Sequence, residues 1–494
     1  MAALTDTRLD KKFIQERAVA GEFLMTEQGF AIEFAHASRG RLAYIAEDRS
    51  WIAWNGTHWD QSCAETLAEA YFDDLIRSML EEAMKAGDGK KREVLLERVK
   101  LASSARLRRN ALALAQPKLM VSREAFDRDA EDLLNTPSGI VDLRTGDLTP
   151  CNPTRMLTQC AGVEYDPKAP EPERFLELVY YLSGEDSDTY DWLLRAMGYT
   201  LTGHVREDTA FFLRGPGGNG KSTLLKALGA VLGDYAHPLD IKFLTAGNDM
   251  GHSTDFAVLR KKRLVVSSEV NKGQKVSTSR LKDLSGGDVQ APRDIKEKAS
   301  HAPKFAPILK LWMYGNFDLV ISGNDDGTWR RIAKVESSHK FEKSAVRESM
   351  VASEGAGILR VLVEAAGAWY REGLGAQPER VAAATLAYRK SQDLLGKFFA
   401  DSLVFDTTDG TRISKGQLNS MYIGWITEEG GDLRVGPREL SQRLLEHGVT
   451  EGRSPIGTRE RCWNGVRART AEDDRADAKA QREAAAPKRG HNPR

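Results

Sequence analysis

A glycine-rich segment near the middle of the chain has the residue types and spacing that bind a polyphosphate. Residues 215–223 read Gly-Pro-Gly-Gly-Asn-Gly-Lys-Ser-Thr, after three apolar residues and before leucines at helical spacing. Backbone amides close around phosphate oxygens only where Cβ atoms are absent, and the N-terminus of the following helix attracts the anion. Lys221 then reaches the β- and γ-phosphate oxygens, and the Ser222 hydroxyl can ligate Mg²⁺.

The alternative interpretation is a glycine-rich turn that happens to precede Lys-Ser. The strand pattern before the segment and the helix pattern after it disfavour that alternative. We therefore expect a bound nucleoside triphosphate with Mg²⁺. The predicted binding residues are Gly215, Pro216, Gly217, Gly218, Asn219, Gly220, Lys221, Ser222 and Thr223.

A candidate catalytic carboxylate ends the apolar segment Arg-Leu-Val-Val-Ser-Ser-Glu at residues 263–269. In a parallel sheet the carboxyl ends of the strands face the phosphates, so we expect Glu269 to polarise the attacking water. The residue before it is Ser268 rather than a carboxylate. Metal ligation then falls to Ser222 and the phosphates, with Glu269 as a further ligand. The alternative is a surface carboxylate at a strand end.

Two further polar features follow along the chain. The apolar strand pattern at 310–316 ends in Asn316, whose amide could orient water against the γ-phosphate. A polar loop then leads to Arg330 and Arg331, and a guanidinium fork stabilises charge on a transferring phosphoryl group. The alternatives are a simple turn at Asn316 and local salt bridges for the arginines.

Residues 288–305 alternate apolar and polar side chains around a short polar tip, which predicts a hairpin. Lys296, Lys298 and His301 would project from this tip. In a ring of subunits, such tips would form circles of positive charge around a central hole, where they would contact the phosphates of single-stranded DNA.

The composition limits where nucleic acid could bind. The chain has 494 residues, with 71 Lys and Arg against 71 Asp and Glu. A formal charge of zero excludes a uniformly basic surface, so a DNA-binding surface must be local. The four cysteines form no C-x-x-C pair and no apolar run approaches a membrane span, which favours a reducing, cytoplasmic location without membrane contact.

The chain is too long for one core, and its patterns predict an α/β phosphate-loop NTPase core with an α+β N-terminal domain and a C-terminal winged helix. The predicted segments are an N-terminal helix and tryptophan-rich hairpin (1–62), a helical and β domain (63–170), the NTPase (171–345), a helical lid or connector (346–400), a winged helix-turn-helix (401–469) and a disordered tail (470–494).

Aromatic and basic residues at the two ends of the chain could also contact nucleic acid. Trp51, Trp54 and Trp59 lie in strand patterns, where core packing is favoured over stacking on bases. The C-terminal helix–helix–hairpin order is typical of a winged helix, for which protein contacts are the alternative to DNA contacts. The arginines that make this segment locally basic are Arg438, Arg443, Arg453, Arg459 and Arg461.

The combination of these segments resembles the superfamily 3 helicases, in particular the helicase portion of phage, plasmid and poxvirus primase–helicases. The resemblance rests on GPGGNGKST at 215–223, RLVVSSE at 263–269, LKDLSGGDVQAPRDI at 281–295, LWMYGN at 311–316 and TWRRI at 328–332. The segment LLNTPSGIVDLRTGDLTP at 133–150 and the tryptophan-rich hairpin also resemble the domain that precedes the family's ATPase. The resemblance spans residues 30 to 470.

This resemblance implies an AAA+-like ATPase core that forms a homo-hexameric ring and pulls single-stranded DNA through its channel, commonly 3′ to 5′. It implies ATP and Mg²⁺ as cofactors, Glu269 as the catalytic carboxylate and Asn316 as the sensor. Arg330 or Arg331 would reach the neighbouring subunit's site, while Lys296 and Lys298 would contact DNA. The winged helix would contact duplex DNA. A primase polymerase domain is not expected.

Two functions remain open on this basis. The first is an ATP-dependent DNA helicase that unwinds DNA during replication of a phage, plasmid or other mobile element in a bacterial cytoplasm, with a separate primase or initiator as partner. The alternative is an ATP-regulated replication initiator that assembles on DNA without processive unwinding. A phosphate-loop kinase or transport ATPase is disfavoured by the hairpin and the arginine pair.

Overall fold

The computed structural model describes residues 25–87, 89–245, 258–267, 275–286, 305–321, 325–341, 350–406, 411–428, 436–454 and 460–476. Contacts divide the chain into two compact units, Met1–Thr385 and Leu386–Arg494. The division lies within the predicted connector, 346–400. Among the helices of the described ranges, none combines the length and apolar character needed to cross a bilayer.

A four-stranded sheet and four helices form the N-terminal part of the first unit. The strands are β1 (Leu42–Ile45), β2 (Ser50–Trp54), β3 (Trp59–Asp60) and β4 (Met120–Val121), in the order β3-β2-β1-β4. The helices are α1 (Glu27–Ala37), α2 (Ala64–Lys85), α3 (Lys90–Ala102) and α4 (Ala105–Ala115). Trp51 and Trp59 are buried and Trp54 packs edge-on against Trp59, so the prediction that these tryptophans pack in the protein is confirmed.

A three-stranded antiparallel sheet and two helices precede the phosphate-binding segment. They are β5 (Leu133–Thr136), β6 (Gly139–Asp142), β7 (Leu148–Thr149), α5 (Glu173–Leu182) and α6 (Ser187–Leu201). Leu134, Val141 and Leu143 of this sheet are fully buried in one core with the helices and the central sheet. The apolar face of a sheet must be covered by another layer, and here the helices and the central sheet cover it.

The central sheet has five parallel strands, β8 (Ala210–Arg214), β9 (Ala236–Leu239), β10 (Leu264–Ser267), β12 (Lys310–Gly315) and β14 (Ile332–Glu336). Their order in the sheet is β14-β8-β12-β10-β9. Strands β8, β12 and β14 are buried on both faces, as is usual for parallel sheets covered by helices. The remaining elements of this region are α7 (Lys221–Leu232), β11 (Lys275–Val276), α8 (Thr278–Ser285), β13 (Val320–Ile321) and α9 (Asp326–Trp329).

Helix α10 (Met350–Glu372) packs against α6 at close range. A Cβ added at Gly198 of α6 would lie 2.4 Å from the backbone of Ala365 and Ala366 in α10. The two helix axes can therefore approach this closely only because position 198 has no side chain. Helix α11 (Glu379–Gln392) follows α10.

Two buried cations, at the N-terminal ends of β10 and β12, bond to the segment that precedes the central sheet. Arg263, just before β10, donates through its Nη atoms to the carbonyls of Leu201, Ala130 and Leu133. Lys310, the first residue of β12, donates to the carbonyls of Thr202, His204 and Ile308. Complete burial lowers the pKa of Lys310. These bonds to carbonyls satisfy donors that would otherwise be costly inside the protein.

The second unit contains α12 (Leu394–Ser402), β15 (Leu403–Phe405), β16 (Arg412–Ser414), α13 (Lys415–Glu428), α14 (Pro437–Glu446), β17 (Thr450–Arg453), β18 (Arg461–Asn464) and β19 (Val466–Ala468). Arg443, predicted as part of a basic surface, instead forms ion pairs with Asp393 at 2.6 Å and Glu446 at 3.2 Å. Arg438, Arg453 and Arg461 are exposed, and Arg459 lies outside the described residues.

Candidate nucleotide site

The phosphate loop, residues 215–222, runs from the end of β8 to the first turn of α7. A Cβ at Gly215 would lie 2.1 Å from the Ser337 carbonyl oxygen, and one at Gly220 would lie 2.4 Å from Leu178 Cδ1. Gly220 also has φ of +85° and caps α7 without a side-chain hydrogen bond. The backbone therefore follows a path open only to glycine. In the first helical turn, Lys221 N donates weakly to Asn219 Oδ1 at 3.5 Å.

Lys221 is the first residue of α7 and is 4% exposed. Its Nζ donates to the carbonyl oxygens of Gly215 at 2.8 Å and Pro216 at 3.1 Å. It also donates to Asn219 Oδ1 at 2.7 Å and Asn316 Oδ1 at 3.4 Å. The ammonium group thus lies inside the loop and is surrounded by oxygen acceptors. The oxygens of a bound phosphate could replace these acceptors.

Asn219 links the loop to the strand on its other side. It is 1% exposed, and its Nδ2 donates to the Ser337 carbonyl just after β14 at 3.4 Å. Gly217 and Gly218 are exposed, while Pro216, Ser222 and Thr223 are partly exposed. Residues 215–223, predicted to bind phosphate, thus lie together in the loop and the first turn of α7, which contains Ser222.

Asn316 lies next to the loop because β12 is the direct neighbour of β8, and Gly315 pairs with Arg214 in register. The strand therefore ends beside the phosphate loop, and the contact with Lys221 Nζ brings these two predicted site residues together. Strand β10 ends at Ser267 on the other side of β12, at the same edge of the sheet. Glu269, two residues later, lies outside the described residues, as do Lys296, Lys298 and His301.

Arg330 and Arg331 have different surroundings between α9 and β14. Arg331 donates to the Gly327 carbonyl at 2.8 Å and pairs with Asp208 at 3.4 Å, and its side chain is 14% exposed. Arg330 is exposed, and within the described ranges its guanidinium group makes no hydrogen bond or ion pair. Of these two arginines, Arg330 is the one that a second molecule could contact without breaking a described bond inside the subunit.

The short helix α9 before the arginines begins at a well-formed cap. Asp325 accepts from Thr328 N at 3.0 Å, from Thr328 Oγ1 at 2.8 Å and from Lys282 Nζ at 2.7 Å. Burial alone would raise the pKa of Asp325, but the hydrogen bonds from Lys282 and Thr328 lower it. These contacts fix the turn that presents Arg330.

The sequence analysis missed an aromatic cluster beside the phosphate loop. Tyr181 of α5 and His339 stack with ring centroids 4.1 Å apart, and Phe341 lies edge-on to both. Phe341 N donates to the Gly218 carbonyl at 2.9 Å, so this cluster, defined as Tyr181, His339 and Phe341, is joined to the loop. The usable signal was the pair of aromatic residues soon after β14, but their partner Tyr181 lies far away in sequence.

Two family models match parts of the chain. Residues 31–180 match a model described as D5 N terminal like. Residues 213–331 match a family of unknown function, DUF5906. The first covers the N-terminal sheet and the segment up to α5, and the second covers the phosphate loop, strands β9, β10 and β12, and the arginine pair.

Several viral proteins are similar in sequence. The chain is 27% identical to "Putative helicase L207/L206" of Acanthamoeba polyphaga mimivirus over 297 residues, which cover 55% of this chain and 30% of that protein. It is 25% identical to "Putative primase C962R" of African swine fever virus (strain Badajoz 1971 Vero-adapted) over 347 residues, which cover 65% of this chain and 35% of that protein.

A solved structure of the NrS-1 C-terminal region aligns with a TM-score of 0.48 at 10% identity, and covers 86% of this chain and 96% of that one. The chain spans about a third of the length of the curated relatives it matches. It contains a D5 N-terminal-like segment and is related in sequence to viral proteins whose names include helicase or primase.

Proposed function

We propose that the chain is an ATP-dependent DNA helicase that translocates on single-stranded DNA during replication of a virus or other mobile element. The observation that carries this proposal is the meeting of Lys221 and Asn316 at adjacent ends of a parallel sheet, within a glycine loop that leads into a helix. This arrangement suits a nucleoside triphosphate whose γ-phosphate faces the sheet edge.

In the proposed site, ATP binds when its phosphate oxygens replace the carbonyl and amide oxygens around Lys221 Nζ. The amides of the first turn of α7 would donate to the remaining phosphate oxygens, with the Lys221 amide leaving its weak bond to Asn219 Oδ1. Ser222 would hold Mg²⁺, with Glu269 as a further ligand, and the ion would neutralise charge on the β- and γ-phosphates. Glu269 would polarise the attacking water and Asn316 would orient it.

We assign the guanidinium group that acts on a neighbouring copy to Arg330 rather than Arg331. Arg331 is engaged with Asp208 and Gly327 in its own subunit, whereas Arg330 is exposed. An arginine supplied in trans makes hydrolysis depend on assembly, which agrees with an AAA+-like homo-hexameric ring. The five-stranded parallel order and the elements of the second unit support the AAA+-like core and the winged helix in this proposal.

The names of the viral relatives support a helicase role in replication. Other relatives are named as primases. We assign the helicase activity to this chain because it contains the phosphate loop and its neighbouring Asn316, which are groups for nucleotide hydrolysis. Lys296, Lys298 and His301 would contact the strand, and a separate primase or initiator would act with the ring.

The test combines ATP hydrolysis with strand displacement on a duplex that carries a single-stranded 3′ or 5′ tail. We expect hydrolysis to rise with added single-stranded DNA and the duplex to separate. The Lys221→Ala variant should lose hydrolysis by at least about a hundredfold, because the phosphate charge loses its fixed partner. An unchanged rate in Lys221→Ala would show that the site is misassigned. Hydrolysis and DNA binding without strand displacement would favour the initiator alternative.

A further inference from the structure

Four charged side chains lie together beside the phosphate loop, at the carboxyl ends of three neighbouring strands. Arg214 ends β8, Lys334 and Glu336 belong to β14, and Asp318 follows β12. We call these four residues the charge cluster. Lys334 Nζ lies 2.8 Å from Asp318 Oδ1 and 3.1 Å from Glu336 Oε1. Arg214 Nη1 lies 2.9 Å from the same Glu336 oxygen, and Arg214 Nε lies 3.9 Å from Asp318 Oδ1.

The charges within this cluster balance, since two cations face two carboxylates. The Lys334 side chain is 4% exposed and that of Asp318 is 27% exposed. Charges that are largely removed from water attract each other more strongly than charges in open solvent. With no excess charge to attract a ligand ion, the charge cluster is suited to holding segments of the protein in place.

The strand ends that carry the charge cluster also carry the contacts of the nucleotide site. The residue after Arg214 is the first residue of the phosphate loop. The residue after Glu336 accepts a hydrogen bond from the loop residue Asn219. Asn316, which contacts the phosphate-loop lysine, lies two residues before Asp318. The cluster therefore links the segments whose relative positions define the site.

The turn after β12 depends on this link more than the other two segments do. Asn316 and Phe317 are exposed, and within the described ranges the backbone of residues 316–318 makes no hydrogen bond. The turn lies between the end of β12 and buried Leu319. Between these two points, Asp318 is the residue whose side chain pairs with the neighbouring strands β8 and β14.

We propose that Asp318 is a positioning residue, which holds the turn that carries Asn316 through its ion pairs with Lys334 and Arg214. This inference rests on the proposed function, in which Asn316 orients the attacking water. Without the Asp318 carboxylate, both cations retain Glu336, so β8 and β14 stay linked. The turn after β12 alone loses its link, so the defect falls on the orientation of the water and not on nucleotide binding.

The experiment is a double-mutant cycle measured by single-turnover and steady-state ATP hydrolysis. Asp318→Asn keeps the size of the side chain and removes its charge. It should lower kcat by about tenfold with a change in KM of less than about twofold, because Asn316 is misplaced while the loop is intact. In an Asn316→Ala background, adding Asp318→Asn should change kcat by less than about twofold, because Asp318 acts through Asn316.

The matched control is a second buried ion pair in the same unit, between Glu33 of α1 and Arg98 of α3. Its two atoms are 2.7 Å apart and its side chains are 28% and 6% exposed, close to the values for Asp318 and Lys334. Glu33→Gln should leave kcat unchanged within about twofold, even if its free energy of unfolding falls as in Asp318→Asn. Urea unfolding curves measure that fall in both variants.

Asp318→Glu provides a second route to the same answer if Asp318→Asn does not fold. It keeps the charge and moves the carboxylate by one methylene, so it should retain more activity than Asp318→Asn. Whatever activity Asp318→Glu loses should not be lost again in the Asn316→Ala background, because the two residues act as one unit.

Full kcat in Asp318→Asn would overturn the proposal, as would a raised KM with unchanged kcat. Equal losses with and without Asn316, or an equal loss in Glu33→Gln, would show a general effect on the fold and would also overturn it. A wild type without ATP hydrolysis would remove both the proposed function and this inference. Hydrolysis that Lys221→Ala abolishes and Asp318→Asn leaves intact would remove this inference alone.

Discussion

Two consecutive arginines illustrate how different two adjacent side chains can be. Arg331 points back into its own subunit, where Asp208 and the Gly327 carbonyl hold it, while Arg330 is exposed. We expect Arg330→Ala to lower ATP hydrolysis by at least about a hundredfold with little change in the free energy of unfolding, since in the proposed ring the residue acts on a neighbouring copy. We expect Arg331→Ala to destabilise the fold by about 1–2 kcal/mol. Hydrolysis rates and urea unfolding curves measure the two effects.

Mixing experiments provide the control for this prediction. Arg330→Ala subunits retain their own phosphate loop and Lys221→Ala subunits retain their own Arg330, so a mixture should recover part of the activity that each variant lacks. Equal loss of stability in Arg330→Ala, or full activity of that variant, would contradict the assignment. The recovery also depends on assembly, so it should rise with total protein concentration.

The contrast between these arginines was not predictable from the sequence. The motif indicated a guanidinium pair but left both members as candidates, because Asp208 lies 123 residues before Arg331. The approach of Asn316 to Lys221, by contrast, followed from local patterns. Asn316 comes directly after one apolar strand, and Lys221 follows the short glycine loop after another. Parallel strands place such ends at one edge of the sheet. The approach of Asn316 to Lys221 was predictable because it depends on where two parallel strands end. The bonds of Arg331 were not, because Asp208 is distant in the sequence.

At the level of elements, the close packing of α6 and α10 depends on Gly198. A Cβ there would lie 2.4 Å from the α10 backbone, so we expect Gly198→Ala to destabilise the protein by about 1–3 kcal/mol, despite the better helix propensity of alanine. Gly229 in α7 is the matched control, since its added Cβ would lie 3.9 Å from Ala236 Cβ. Gly229→Ala should be neutral or stabilise by up to about 1 kcal/mol. Urea denaturation distinguishes the two, and equal shifts would contradict the packing argument.

The aromatic cluster gives a second prediction at this level. Phe341 touches the loop through both its backbone and its ring, which lies 3.2 Å from a Cβ position at Gly220. We expect Phe341→Ala to weaken nucleotide binding by about tenfold, because the loop loses its apolar support, while Phe341→Leu should retain most of the affinity. Titration with a fluorescent ATP analogue measures both. Equal affinities in the wild type and Phe341→Ala would contradict this role.

The elements themselves were predicted with uneven success. The hairpin of β1 and β2 and the burial of Trp51 and Trp59 follow directly from their alternating sequence. Leu134 and Val141 share one core with the central sheet, and this arrangement does not follow from the sequence. Apolar periodicity shows that a face is buried but not which element covers it. The ion pairs of Arg443 were missed for the same reason.

At the level of the whole molecule, the neutral overall charge makes any DNA contact a local property. We expect Lys296→Ala combined with Lys298→Ala to lower the affinity for single-stranded DNA and to reduce its dependence on salt, while basal hydrolysis persists. Lys90→Ala with Lys100→Ala, on the exposed face of α3, is a charge-matched control that should leave DNA binding unchanged. Anisotropy titrations at several salt concentrations measure both, and identical salt slopes would contradict the prediction.

The bonds of Lys221 within its own loop bear on how a catalytic cycle ends. Since Gly215, Pro216 and Asn219 already offer oxygens to the ammonium group, departure of products in the proposed reaction would leave no bare charge behind. In that reaction the ammonium group would exchange one set of oxygen neighbours for another at each turnover. These bonds reduce the free-energy difference between the loop without nucleotide and the loop with nucleotide bound. Product release would then leave no lysine without hydrogen-bond acceptors.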